Sequence, residues 1–179
     1  VMKKRGMEKS GFTVSELIFV IIILGILAAL ALPQFSSSTG EAKVATLSGN
    51  LVIMRTAVEM YYQQHGSTYP GYIHTDGNVA TAGQMEAAFV AQLTQYSDKD
   101  GKTSATKDDA NFPYGPYLLN EAIPDNPLPD SATDSTDIAT VEADNNADAL
   151  AATASATKGW RYSVETGQFI ANNADYETM

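Results

Sequence analysis

The sequence predicts an α+β fold: a long N-terminal helix whose first half spans a membrane, with a proline kink, and whose second half packs on a small antiparallel sheet. Three observations carry that expectation. Residues 17–32 are sixteen consecutive apolar or glycine residues behind a basic start. Further on, Val44, Leu47, Leu51, Met54, Val58 and Tyr61 recur at spacings of three and four, a stripe on one helix face. Near the end, Trp160-Arg-Tyr-Ser-Val164 and Gln168-Phe-Ile-Ala171 flank Glu165-Thr-Gly167, the pattern of a β-hairpin.

A chain of 179 residues is enough for one domain and hardly for two. At 44% apolar and 18% charged it is not a disordered acidic chain. Its net charge of -10 argues against nucleic acid as a main partner, because phosphate binding needs a basic face. Without cysteine there are no disulfides, thiolate metal sites or cysteine nucleophiles. Imidazole chemistry is thin too, with only His65 and His74. Composition therefore leans away from an enzyme, leaving a carboxylate-based one open.

Charge is unevenly placed. Residues 1–11 hold Lys3, Lys4, Arg5 and Lys9 against Glu8, while the chain from Phe12 onward carries seven bases and twenty acids. Val1 is an unusual first residue that fits an alternative start codon, with Met2 and Met7 as further candidates. Residues 12–32, as a helix, would be about 31 Å long, which matches a bilayer core. The basic residues before them predict a cytoplasmic N-terminus and export of everything after residue 33. A cleaved secretory signal is the competing reading. It fits less well, because the run is long, Leu32-Pro33-Gln34-Phe35 follows it, and Glu16 stands just inside its start.

Lys9-Ser-Gly11-Phe12-Thr-Val-Ser15-Glu16-Leu17, followed by Ile26-Leu-Ala-Ala-Leu-Ala-Leu-Pro33-Gln-Phe35, resembles the N-terminus of type IV pilins and type II secretion pseudopilins. The resemblance implies that a prepilin peptidase/N-methyltransferase cuts between Gly11 and Phe12 and methylates the new amine. It makes Glu16 the fifth mature residue and Pro33, the helix kink, the twenty-second. Ser15 is more polar than the aliphatic residue usual at the fourth position. An acid within an apolar span costs about 2.5–3.5 kcal/mol at the centre and usually has a partner. The amine released at Phe12 would lie one helical turn from Glu16, in the same subunit or in a neighbour. The alternative is that Glu16 sits among headgroups and pairs with nothing.

On this reading residues 1–11 are a leader, 12–35 a transmembrane and filament-core helix, and 36–179 a globular domain. The stripe should run to about His65, where Gly66 stops the helix, and 66–71 is turn chemistry. A shorter helix opens at Thr81, with Gln84 as capping-box partner and Met85, Phe89, Leu93 and Tyr96 on its apolar side. Residues 98–102 read as a loop, and 123–129 as an extended segment whose prolines forbid a central strand. Residues 130–158, rich in Asp, Ser, Thr and Ala, are expected to run over the surface with little burial and a marginal helix near 147–154. The closing hairpin, and Gly115-Pro-Tyr117 with Ile123-Pro-Asp-Asn-Pro127, are similar to pseudopilin-like proteins.

Tests for chemistry give no catalytic constellation. Gly101-Lys-Thr103 lacks the earlier glycine of a phosphate loop, with Tyr96 in its place. His65 and His74 read as solvated. Asp98 and Asp100 open like a calcium loop, but no bidentate Glu follows at the required spacing. Asp125, Asp130, Asp134 and Asp137 form a second acidic patch, read as solvated surface, although some pseudopilins bind calcium in C-terminal loops. No cofactor or metal is expected.

The resemblance implies a non-enzymatic filament subunit, held in a bacterial inner membrane and then assembled into a periplasmic or extracellular filament. Its partners would be other copies, related pilins, the inner-membrane assembly machinery and, before assembly, lipid. The closing hairpin and missing disulfide loop favour the pseudopilin side. A minor pilin or tip adhesin on the same helix, or a single-pass anchored binding protein or enzyme, are the alternatives.

Overall fold

A computed structural model describes residues 11–120, 122–129, 139–145, 147–153 and 158–179, excluding the side chains of 31–38. Contacts divide the chain into two units, Val1–Ala42 and Lys43–Met179.

Helix α1, Val14–Gln64, contributes to both units. It continues through position 33, so the proline does not end the helix; the kink expected there falls where side chains lie outside the described residues. In the first unit the large apolar side chains from Leu17 to Leu30 are 47–66% exposed. Among the described residues no helix is long and apolar enough to cross a membrane, so the span expected over 12–32 is not found among them.

In the second unit α1 ends as the sequence indicates. Gly66 takes a left-handed φ of 63°, and the Ser67 N–H donates to the Tyr62 carbonyl, closing a Schellman-type cap. Leu47, Leu51, Met54, Val58 and Tyr61 are at most 2% exposed, and Val44 is half-buried. Burying one such side chain contributes about 1.5–3 kcal/mol. The stripe joins one core with Phe89, Leu93, Trp160, Tyr162 and Phe169. Phe89 and Tyr162 meet at 4.2 Å between ring centroids, and Trp160 and Phe169 at 5.2 Å.

Helix α2, Met85–Thr94, starts later than expected. Thr81 donates its N–H and hydroxyl to Gln84 Oε1 at 3.0 and 2.8 Å, so the pair closes a turn ahead of the helix instead of capping it. Tyr96 is not on the helix; it opens β1, Tyr96–Ser97, which pairs antiparallel with β2, Thr103–Ser104, around the expected 98–102 loop.

The second sheet holds β3 (Val141–Asp144), β4 (Trp160–Ser163) and β5 (Phe169–Ala171) in that order. The predicted hairpin is present as the antiparallel pair β4–β5. At its turn Gly167 has φ 71°, and an added Cβ would fall 2.2 Å from the Tyr69 ring, so only glycine fits.

Strand β3 corrects the reading of 130–158. It pairs with β4 in parallel, Val141 is fully buried, and Arg161 of β4 binds Asp144 across the pair at 2.7 Å. A strand needs little apolar content when the neighbouring edge supplies its backbone partners. Residues 147–153 are not helical, and the Leu150 N–H donates to Gln168 Oε1 at 2.8 Å. Residues 130–138 and 154–157 of that tract lie outside the described residues.

Gln92, fully buried on α2, gathers three loop groups. It accepts from the Gly71 N–H at 2.7 Å and donates to the Ile73 and Gly101 carbonyls at 2.7 and 2.8 Å. Each buried polar group left unpaired costs about 1–3 kcal/mol. Gln92→Leu should therefore destabilise the fold by about 3 kcal/mol or more, read as a lower urea midpoint with unchanged slope.

Candidate functional site

The helix of the first unit begins with a reciprocal cap. Thr13 precedes Val14, the first helical residue, and Glu16 is the third. The Thr13 N–H donates to Glu16 Oε2 at 2.8 Å, the Thr13 hydroxyl donates to the same oxygen at 2.6 Å, and the Glu16 N–H points to Thr13 Oγ1 at 3.3 Å. This is a capping box, and a carboxylate in the first turn is also favoured by the helix dipole. Its signal, Thr-x-x-Glu ahead of an apolar run, stood in the sequence.

The geometry thus brings Glu16 to Thr13. In the uncut chain the nitrogen of Phe12 is an amide and bears no charge. Phe12 is 90% exposed, and a Cβ added at Gly11 would meet nothing within 4 Å among the described residues.

His65 corrects the expectation of two solvated histidines. It is 4% exposed, its ring stacks on Tyr61 at 3.7 Å, and Tyr114 meets it edge-on at 5.2 Å. Nδ1 lies 2.9 Å from the Tyr61 carbonyl, which can only accept, so Nε2 takes the hydroxyl hydrogen of Ser97 at 3.1 Å. His74 instead faces Asp76 at 3.1 Å on the surface.

The acids tested for calcium are partly engaged. Asp98 Oδ1 accepts the N–H groups of Asp100 and Lys102, each at 2.9 Å, and Asp100 pairs with Lys99 at 2.7 Å. Asp125 contributes its carbonyl to Asn50. Asp130, Asp134 and Asp137 lie outside the described residues. Among the described residues no three His, Cys, Asp or Glu side chains gather where they could hold a metal ion.

The chain is 38% identical over 85 residues to a fimbrial protein of Neisseria meningitidis serogroup B, covering 48% of this chain and 49% of that one. It is 44% identical over 54 residues to the type II secretion system core protein G of Pseudomonas aeruginosa, covering 30% and 38%. Against the type IV major pilin protein PilE of Neisseria gonorrhoeae it is 33% identical over 103 residues, covering 58% and 59%. The chain spans about half the length of the curated relatives it matches. No family model and no solved structure matches it. Over the stretches shared, the chain is similar to fimbrial and type IV major pilin proteins and to a type II secretion system core protein, and none of these three names is that of an enzyme.

Burial pushes the His65 pKa below its ordinary 6.5, against the opposing pull of the Tyr61 and Asp98 acceptors and the Asp98 charge. The unfolded chain then binds a proton that the folded chain refuses. Stability is full above about pH 6.5 and falls as the pH drops through the folded value. The melting temperature should decline on acidification from about pH 7.5 to 5, and His65→Gln should flatten that decline.

Proposed function

We propose that the chain is a structural subunit of a type IV pilus or a type II secretion pseudopilus, working by assembly and not by catalysis. The observation that carries this reading is the apolar helix of 17–30, exposed on all sides, directly behind the Gly11-Phe12 junction and Glu16. A helix apolar all round requires cover, either lipid or other protein. The fimbrial and secretion-core relatives support the same reading.

In this mechanism the basic leader stays in the cytoplasm and residues 12–35 hold the precursor in the inner membrane. A prepilin peptidase removes residues 1–11 and the Phe12 amine is methylated. The helix then leaves lipid and buries against neighbouring copies, while the acidic domain faces outward in a periplasmic or extracellular filament. Pro33 bends the helix between the two environments. Glu16 sets register by meeting the cationic Phe12 amine of a neighbour.

Mass spectrometry of the mature chain should give Phe12 as first residue, with a methylated amine. Gly11→Val should leave uncut precursor in the membrane. A mature chain starting after residue 33 would overturn the reading.

The capping box makes Glu16→Gln an informative variant. Glutamine can still accept the Thr13 N–H, so helix initiation is kept and only the charge is lost. Cleavage should proceed. Assembly should fail, because removing one partner of a buried charge pair typically costs about 3–5 kcal/mol in every subunit. The ratio of filament to membrane-held mature subunit measures this, and a wild-type ratio would leave Glu16 as a helix cap alone.

A further inference from the structure

Within the unit 43–179, the end of α1 and the turns at 73–77 and 99–102 enclose a cavity of about 720 Å³. Small-molecule sites usually measure about 300–1,000 Å³. Its inner wall holds the rings of Tyr61 and His65, 1 and 4% exposed. Both nitrogens of His65 are taken, by the Tyr61 carbonyl and by Ser97. The Tyr61 hydroxyl forms no hydrogen bond among the described residues and reaches the cavity beside Gly101, where an added Cβ would lie 3.1 Å from it. A hydroxyl this deep normally has a partner, so the wall is set for an occupant that hydrogen-bonds.

We propose that this cavity binds a neutral sugar. Charge decides the class of ligand. The lining carries two ammonium groups, Lys99 and Lys102, and two carboxylates, Asp76 and Asp100, all on exposed residues at the mouth. An anion entering there meets two carboxylates, and a cation meets two ammonium groups. Sugar hydroxyls both donate and accept, so they can use groups of either sign together with the hydroxyls of Thr68 and Tyr61. The site is independent of the filament reading, because none of its lining belongs to residues 12–35.

The walls are fixed before any ligand arrives. Buried Gln92 ties the two turns to each other through the carbonyls of Ile73 and Gly101. Asp98 Oδ1 holds the 98–102 turn closed by accepting the N–H groups of Asp100 and Lys102. The stem of Lys102 lies against Gly77 of the other turn, its Cε 3.0 Å from where a Cβ would stand. A site held in this way loses little freedom on binding, which favours a small, weakly held ligand such as a sugar.

The test is an NMR titration of the full chain, labelled with nitrogen-15, in a detergent without a sugar headgroup. The probes are D-glucose, D-galactose, N-acetyl-D-glucosamine and lactose, with D-glucuronate and inorganic phosphate as anionic controls. At least one neutral sugar should give saturable shifts centred on the amides of 65–68, 73–77 and 99–102. Lactose binding more tightly than both its component sugars marks a glycan chain as the ligand, equal binding marks a free sugar, and either supports the assignment. Tyr61→Phe should weaken the sugar at least tenfold without lowering the urea midpoint, because the hydroxyl it removes holds nothing in the fold. If Tyr61→Phe does lower the midpoint, Asp100→Ala at the exposed mouth replaces it and should weaken the sugar at least threefold. No saturable shift with any neutral sugar, shifts with the anions alone, shifts centred elsewhere, or wild-type affinity in the folded variant overturns the assignment.

Discussion

Leu47, Leu51, Met54, Val58 and Tyr61 stand on one face of α1 with almost no exposed surface, and the other elements of residues 43–179 are arranged to cover them. Burying each of these five large side chains contributes about 1.5–3 kcal/mol. The covering layer is aromatic: Phe89 from α2, Trp160 and Tyr162 from β4, and Phe169 from β5. Arg55, on the flank of the stripe, fixes the approach of the sheet by donating to the Phe169 carbonyl at 3.1 Å.

With no cysteine available, the irregular segments are tied down by side-chain amides. Gln92 holds the 71–73 and 101 loops. Asn126 donates to the Gly159 carbonyl at 2.8 Å and accepts from the Leu128 N–H at 2.9 Å, while Trp160 Nε1 donates to the Pro124 carbonyl at 2.8 Å. Asn172 receives the Thr153 N–H and donates to the Lys158 carbonyl. These bonds join the extended 123–129 segment and the 147–153 crossing to the hairpin. Such clamps work only when fully buried and fully paired, which Gln92, Asn126 and Asn172 are close to being.

What could be read beforehand follows from where the signal resides. The α1 stripe is a periodic pattern of large side chains, and burial followed the pattern. The hairpin was marked by Gly167 between two aromatic runs. By contrast β3 is held by backbone bonds to an edge of β4, and a single Val141 in an acidic tract gives no periodicity to detect. His65 looked solvated because the groups that enclose it, Ser97, Tyr114 and Tyr117, come from distant sequence. Gln92 was detectable in principle, since it lies three residues beyond Phe89 on the same buried face. The Thr13–Glu16 cap is legible as well, as Thr-x-x-Glu ahead of an apolar run. The proposed pairing of Glu16 with Phe12 depends on a charge that the Phe12 nitrogen, an amide in the uncut chain, would gain only on cleavage.

The order in which the core is assembled has a consequence for synthesis. Arg55 and Phe169 are 114 residues apart, and three of the four aromatic residues covering the α1 stripe, Trp160, Tyr162 and Phe169, come only at 160–169. During translation the stripe emerges early, and its cover is completed only when most of the chain has followed. A ribosome that stalls, or a protease that cuts, before residue 160 leaves an amphipathic helix covered in part by α2 alone, prone to bind whatever apolar surface is nearest. Loss of the short closing hairpin would strip Trp160, Tyr162 and Phe169 from the stripe together, leaving Phe89 and Leu93 of α2 to cover it.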